Sequence, residues 1–315
     1  MVWRGDEYIM AFDFYFAGSQ AVETENLIVE LNANVLKSFV NDIRELPRWF
    51  EYKKQGWKGK LLIDSGAFSI HRNTARANSK QFQSKSIIDA YIDWLNENDA
   101  YIDYVIELDH IPGEWGKIKT IEQLKEAPII SWNNYLYMYD RLKSPKKLMP
   151  VFHQGEDFKH LENILNSLLP EYICISGNKE LTNSQRESWY EQCYYIIQHS
   201  NNPNIKVHCL GSATLSNVIN YPFTSMDATS WIMTGAMGNI LTPRGTIYVG
   251  DSNSLCNMTD IEINYLKQLC DNYNIEFESL ATDYKSRMLF NIHYLYEQSY
   301  LTTFNGLKAI KRRLF

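Results

Sequence analysis

Residues 172–210 read YICISGNKELTNSQRESWYEQCYYIIQHSNNPNIKVHCL, and their pattern decides the fold class. Two short apolar runs, Tyr172 to Ser176 and Ile205 to Leu210, flank a stretch from Ser184 to His199 with helical periodicity. A strand, a covering helix and a second strand make a crossover unit, and such a connection sets the two strands parallel.

Working outward, the unit repeats. Further strand-like runs are Met10 to Phe16, Lys60 to Asp64, Tyr104 to Leu108, Leu148 to Phe152, Phe223 to Met226 and Thr246 to Val249, eight with the first two. Amphipathic stretches lie between them: Ile28 to Glu51, Ser84 to Asn98, Ile121 to Leu142, Phe158 to Leu168 and a shorter one from Leu215 to Asn220. Ser84 and Ser184 suit N-caps. Eight strands alternating with such stretches predict a (β/α)8 TIM barrel. The alternative is an open doubly wound sheet, against which no Gly-x-Gly-x-x-Gly follows the first strand. The barrel is expected over about residues 8–255, with closing helices in 256–315 at Ile261 to Asn272 and Asp283 to Gln298. No linker, low-complexity tract or repeat interrupts it, so residues 1–315 read as a single domain.

Composition sets limits on partners and compartment. With 45% apolar and 22% charged residues the chain can bury a large core. A net charge of −6 argues against a broadly basic surface, so contact with a polyanion must be local. Basic clusters occur at Lys53, Lys54, Lys58 and Lys60 around Trp57, and at Lys308, Lys311, Arg312 and Arg313; short runs like these are usually solvated faces. The five cysteines, at 174, 193, 209, 256 and 270, are odd in number and show no CxxC spacing, which fits neither a disulfide framework nor a closed zinc site. Neither a leader nor a membrane span is visible, and a cytoplasmic protein is expected (host cytoplasm, were the chain phage-encoded).

Chemistry in a parallel barrel gathers where the strands end at their C-termini. Those ends carry Asp64-Ser65-Gly66-Ala67-Phe68, Glu107-Leu108-Asp109-His110, His153-Gln154-Gly155-Glu156, Ser176-Gly177, His208 with Gly211-Ser212, and Asp227 followed by Thr229-Ser230-Trp231. Carboxylates crowded at one mouth push one another's pKa values apart, which suits paired acid and base roles. Each could instead cap the helix that follows its strand. A metal site from His153, His208, Asp109 and Asp227 lacks the usual His spacing. A thiol nucleophile at Cys209 conflicts with His208, because neighbours on a strand face opposite ways.

LLIDSGAFS, residues 61–69, resembles the DSGGFQ segment of the tRNA-guanine transglycosylases (queuine tRNA-ribosyltransferases). The likeness continues in order through Asp109 in YVIELDH, Gln154-Gly155 in PVFHQG, Gly177 in YICISG, HCLGSA at 208–213 and SMDATSWI at 225–232. It spans roughly residues 60–250. The family's zinc motif and the arginine-rich stretch after its nucleophile are missing; residues 233–239 read MTGAMGN. A zinc-free version is more similar to the phage DNA transglycosylases that insert 7-deazaguanine derivatives into DNA.

The resemblance implies a pentosyltransferase that exchanges guanine in DNA for a 7-deazaguanine such as 7-cyano-7-deazaguanine, without cofactor or metal. It assigns Asp227 as nucleophile and Asp64 as acid–base partner. Ser65, Gly66, Phe68, Asp109, Gln154, Gly155, Gly177, His208, Gly211 and Trp231 would bind the base and its sugar. Asp109 would take the N1 and exocyclic amino hydrogens, Gln154 and the Gly177 backbone the O6 edge, and Phe68 or Trp231 would stack. Arg72, Arg76, Lys80 and Arg244 could clamp the backbone of a flipped or single-stranded target. A tRNA substrate, a base-releasing hydrolase and a noncatalytic subunit are the alternatives.

Overall fold

The computed structural model describes residues 12–19, 21–72, 86–113, 118–178, 181–211, 214–242, 245–251, 254–255 and 257–301. Arg76, Lys80, Ser84, Ser212, Arg244, Cys256 and the basic cluster at 308–313 lie outside them.

Eight parallel strands form a closed ring: β1 (Asp13–Ala17), β2 (Asn34–Ser38), β3 (Leu61–Asp64), β4 (Tyr104–Ile106), β5 (residues 148–153), β6 (Tyr172–Ser176), β7 (Lys206–Leu210) and β8 (Ser225–Ala228). The ring closes within β5, which comes in two pieces, Leu148–Met149 against β4 and Val151–His153 against β6. Pro150 divides them. It has no amide to donate, but its carbonyl accepts from Cys174 N–H at 2.8 Å, so the seam stays bonded. β8 pairs with β1 through Tyr15↔Asp227, and β2 with β3 through Ser38↔Asp64.

Alternation along each strand separates two cores. Tyr15, Leu36, Leu62, Ile106, Met149, Val151, Tyr172 and Cys174 fill the barrel interior. Residues of opposite parity, among them Phe14, Val35, Ile63, Phe152, Ile175 and Cys209, pack beneath the helices against Trp49, Tyr91, Tyr135 and Trp189. Each such side chain contributes about 1.5–3 kcal/mol by leaving water. The same parity turns Asp64, His153, His208 and Asp227 toward the barrel axis.

Two strand assignments differ from the sequence reading. Ile28 to Glu51 is not one helix. Helix Val22–Glu30 stops at Asn32, whose φ of 52° is left-handed, and β2 follows before helices Phe39–Asp42 and Leu46–Lys54. Lys37 disguised this strand, since a lysine amid Val35, Leu36 and Phe39 reads as the wet face of a helix. It is fully buried instead, bonded to the Ser19 carbonyl and, at 3.0 Å, to Glu45. Conversely, residues around Thr246 to Val249 are no barrel strand: β10 (Gly245–Tyr248) pairs antiparallel with β9 (Asn239–Thr242) as a hairpin outside the ring. One missed strand and one surplus strand cancel, leaving the count at eight.

Helix boundaries move by a few residues. The helix after β3 that ends at Asn98 starts at Ile87 and is capped by Ser86, and helix Asn183–Gln198 is capped by Thr182 in a capping box with Gln185, not by Ser184. Helix Tyr284–Leu301 fastens the segment after β8. Arg287 Nε donates to the Gly235 carbonyl at 2.7 Å, and Asn291 binds the Trp231 carbonyl and the Leu241 amide.

At the opposite, N-terminal face, Lys53 pairs with Asp103, Lys54 with Glu51 and Lys60 with Asp13. The basic cluster around Trp57 is thus largely neutralised and lies far from the strand ends. No helix among the described residues is long and apolar enough to cross a membrane.

Candidate active site

Asp227 sits inside β8 rather than after it and is 8% exposed. Both its protein hydrogen bonds fall on one oxygen: Oδ1 accepts from Gly211 N–H at 3.0 Å and lies 3.2 Å from His208 Nε2. Gly211 offers this amide from a backbone with φ +69°, a conformation glycine adopts without strain. Asp227 therefore does not cap its own helix; it is anchored to β7, with Oδ2 carrying no protein hydrogen bond among the described residues.

Asp64 ends β3, and its Oδ2 accepts from Gly66 N–H at 3.0 Å. Burial, with Asp109 and then Asp227 as like-charged neighbours, pushes its carboxyl up to about 7, which the Gly66 bond offsets only in part. At neutral pH it is poised between acid and base. The turn that shapes it depends on Gly66, buried with φ +83°, where a Cβ would come within 2.7 Å of Val40 and 2.9 Å of Ser38 Oγ. The end of β2, hidden from the sequence reading, and the short helix that follows it are thus what shape the Asp64 turn.

Asp109 lies beyond β4 and is held by His153 of β5: Nε2 is 3.1 Å from Asp109 Oδ2, and Nδ1 is 3.1 Å from Glu156 Oε1. Burial opposes charge on this imidazole, but hydrogen bonds to Asp109 and Glu156 outweigh it and push its pKa up to about 10. At pH 7 an imidazolium separates two acids. Sequence reasoning gave His153 no role outside a metal site and gave Glu156 none. Parity with Met149 and Val151 is the signal that turns His153 inward. Behind this pair, buried Glu107 accepts from Val151 N–H at 2.7 Å, and burial holds its carboxyl well above the ordinary range. A small recess between Glu107, Ser131, Trp132, Glu156 and His160 opens on the helix side, away from the barrel axis.

Other expected site residues divide by placement. Ser65 is buried and receives the Ala67 amide on its hydroxyl; Gly177 is buried at the end of β6, and Gly155 is exposed at the rim. Phe68 is 54% exposed on helix Ala67–Arg72, beside Asp64 in the chain. Arg72 is exposed on the same helix.

Four roles need correction: His208, fully buried with its ring nitrogens engaged by Ser225 and Asp227, and Gly211, whose amide goes to Asp227, hold the carboxylate rather than the base or its sugar, and Trp231 and Gln154 are taken up elsewhere. Trp231 is only 1% exposed, donates its indole N–H to the Ala17 carbonyl at 3.2 Å and packs edge-on to Phe16, so it has no face left for a base. Gln154 already uses both ends of its amide: Oε1 accepts from Asn178 N–H at 3.0 Å, and Nε2 donates to the Gln185 carbonyl at 3.1 Å. It ties the β5 and β6 loops together rather than pointing at the cavity. Cys209 faces the outer core near Tyr190, as parity requires, and no His, Cys, Asp and Glu cluster among the described residues has the form of a metal site.

No family model matches the chain, and no curated protein matches it. Among solved structures it is similar to a GH26 β-mannanase from Bacteroides ovatus, with 12% identity over 69% of this chain and 80% of that one and a TM-score of 0.41.

Proposed function

We propose that the chain is a guanine transglycosylase that exchanges guanine in DNA for a 7-deazaguanine derivative, retaining configuration at C1′. One observation carries the reading: Asp227 is gripped through a single oxygen while Asp64, in electrostatic reach of it, is pushed up to about 7. One carboxylate is thereby oriented for attack and the other set to exchange a proton.

Oδ2 of Asp227 attacks C1′ as the C1′–N9 bond breaks, and its electron pair leaves with guanine. Protonated Asp64 gives its proton to the departing base. The ribosyl-type carbon is then held as an ester on Asp227. Asp64, now a carboxylate, takes the N9 hydrogen of the incoming deazaguanine. That nitrogen attacks C1′, and Asp227 leaves unchanged. Asp109 suits the N1 and exocyclic amino hydrogens of guanine, because His153 leaves it one oxygen to accept them. Phe68, half exposed and four residues after Asp64 in the chain, is the candidate to stack on the base. The sugar carbon is unreachable in a duplex, so the nucleotide must be flipped or single-stranded.

DNA is favoured over tRNA by the similarity of DSGAFS and SMDATSW to the zinc-free branch. The deciding experiment is mass spectrometry of nucleosides from DNA and from tRNA after incubation with isotopically labelled 7-cyano-7-deazaguanine. Label in DNA supports the reading. Label in tRNA alone reassigns the polymer, and guanine release without label reassigns the enzyme to hydrolysis.

A further inference from the structure

Inside the barrel, directly beneath Asp227, a line of polar side chains runs where a TIM-barrel core would ordinarily be apolar. Tyr172 of β6 donates its hydroxyl to Ser225 Oγ of β8 at 2.5 Å. Ser225 Oγ lies 2.5 Å from Nδ1 of His208 on β7, and His208 Nε2 lies 3.2 Å from Asp227 Oδ1. Strand register builds the line: His208 stands opposite Ser225 across the β7–β8 pairing, and Asp227 follows two residues later on the same face. Ser225 and His208 are fully buried and Tyr172 nearly so, so water does not compete.

We infer that Tyr172, Ser225 and His208 form a hydrogen-bond chain of fixed polarity whose task is to position Asp227 with one oxygen held and the other presented to the sugar. This rests on Asp227 being the nucleophile. The polarity follows from counting hydrogens. Burial pushes the Tyr172 phenol well up, so it keeps its proton and donates. Ser225, having accepted that hydrogen, has one of its own, and Nδ1 of His208 is the acceptor beside it. With Nδ1 accepting, the ring hydrogen stands on Nε2 and goes to Asp227. Reversal would leave the Ser225 hydroxyl hydrogen without an acceptor in a dry core and would aim a bare ring nitrogen at a carboxylate. Tyr15 packs edge-on against the imidazole, centroids 5.8 Å apart, and holds its plane. His208 is a positioning residue here, and Ser225 and Tyr172 act through it.

Two readouts test the chain on the intact protein. In ¹⁵N NMR of the histidine rings, with His208 assigned by its absence in His208→Gln, the wild type should show the Nε2–H form, and Ser225→Ala should lose that preference. Tyr172→Phe, which removes one oxygen and keeps the packing, should loosen it in the same direction. In rapid-quench assays with a guanine-containing oligonucleotide, both variants should form the covalent adduct on the order of 10- to 100-fold more slowly, with apparent affinity for the base within about twofold. A hydrogen on Nδ1 in the wild type, or a Ser225→Ala ring indistinguishable from wild type, overturns the chain. Adduct formation at the wild-type rate in both variants overturns its positioning role. The NMR result does not depend on any reaction: an Nε2–H ring lost in Ser225→Ala supports the chain even where wild-type protein forms no adduct, an outcome that instead removes the glycosyl-transfer reading.

Discussion

His153 holds Asp109 from the neighbouring strand, with Nε2 3.1 Å from Oδ2, while its other nitrogen is engaged by Glu156. The imidazole is the positive member of a three-group cluster at the barrel mouth.

Replacing it with leucine leaves two partly buried carboxylates facing each other. His153→Leu should cost about 2–4 kcal/mol at pH 7, measured by urea denaturation, and should weaken base binding. Because the folded pKa is raised from 6.5 to about 10, the contribution is complete below 6.5 and disappears as pH rises through 10. The gap between wild type and variant should accordingly be widest below about pH 6.5, narrow steadily above it and close by about pH 10.

For Asp64 it is the charged form that folding disfavours, and the pH dependence runs in the same direction over a lower window. Its carboxyl rises from 3.8 to about 7, so the folded state resists its ionisation and stability is lost as pH climbs through that window. Asp64→Asn should raise the denaturation midpoint at pH 8 and barely change it near pH 4. Exchange should collapse at every pH, and the wild-type profile should bend near 7. An unbent profile between pH 6 and 8 separates Asp64 from proton transfer.

Asp227→Ala should abolish the covalent adduct with a guanine oligonucleotide and lower turnover by on the order of 10⁴-fold or more, as loss of a nucleophile does elsewhere. Asp109→Ala should weaken binding of a guanine oligonucleotide far more than of an abasic one. An adduct that survives the first change, or equal losses in the second, contradicts the assigned roles.

Gly66→Ala should destabilise the fold by about 1–3 kcal/mol, since the new Cβ meets Val40 at 2.7 Å and the φ of +83° is strained for alanine. It should also slow exchange, because the Asp64 turn cannot keep its shape. Thermal melts and single-turnover rates together check both effects.

The two aromatic candidates are expected to behave differently. Phe68→Ala should weaken base affinity. Trp231→Phe should cost about 1–2 kcal/mol of stability, from the lost bond to the Ala17 carbonyl, with base affinity unchanged. Titration calorimetry with guanine, paired with melts, separates them.

Periodicity along the chain was enough for the (β/α)8 class and for the residues at six strand ends, because side-chain alternation and crossover length are local properties. The same local logic set His208 and Cys209 on opposite faces of their strand, and the structure put His208 inside. It failed at β2, where a buried Lys37 imitated a solvent face. Its partners Ser19 and Glu45 come from other elements, and their convergence on residue 37 is not visible in the chain order. It failed again at Thr246 to Val249, whose strand character is real but whose partner is a hairpin.

What the amino-acid order determined, then, was which carboxylates stand at the mouth: Asp64, Asp109 and Asp227 each end or follow an apolar strand, and a parallel barrel gathers such ends. Tertiary structure alone decided what each can do. Asp64 is raised by burial and then by Asp109 and Asp227 from other strands, Asp109 is paired by His153, and Asp227 is fixed through Gly211 and a buried chain from Tyr172. Gln154 and Trp231, equally eligible by position, are taken up by backbone groups of other elements. Charge, hydrogen-bond supply and burial are sums over everything within a few ångströms, and those neighbours are brought together by the closed ring, not by their spacing in the chain.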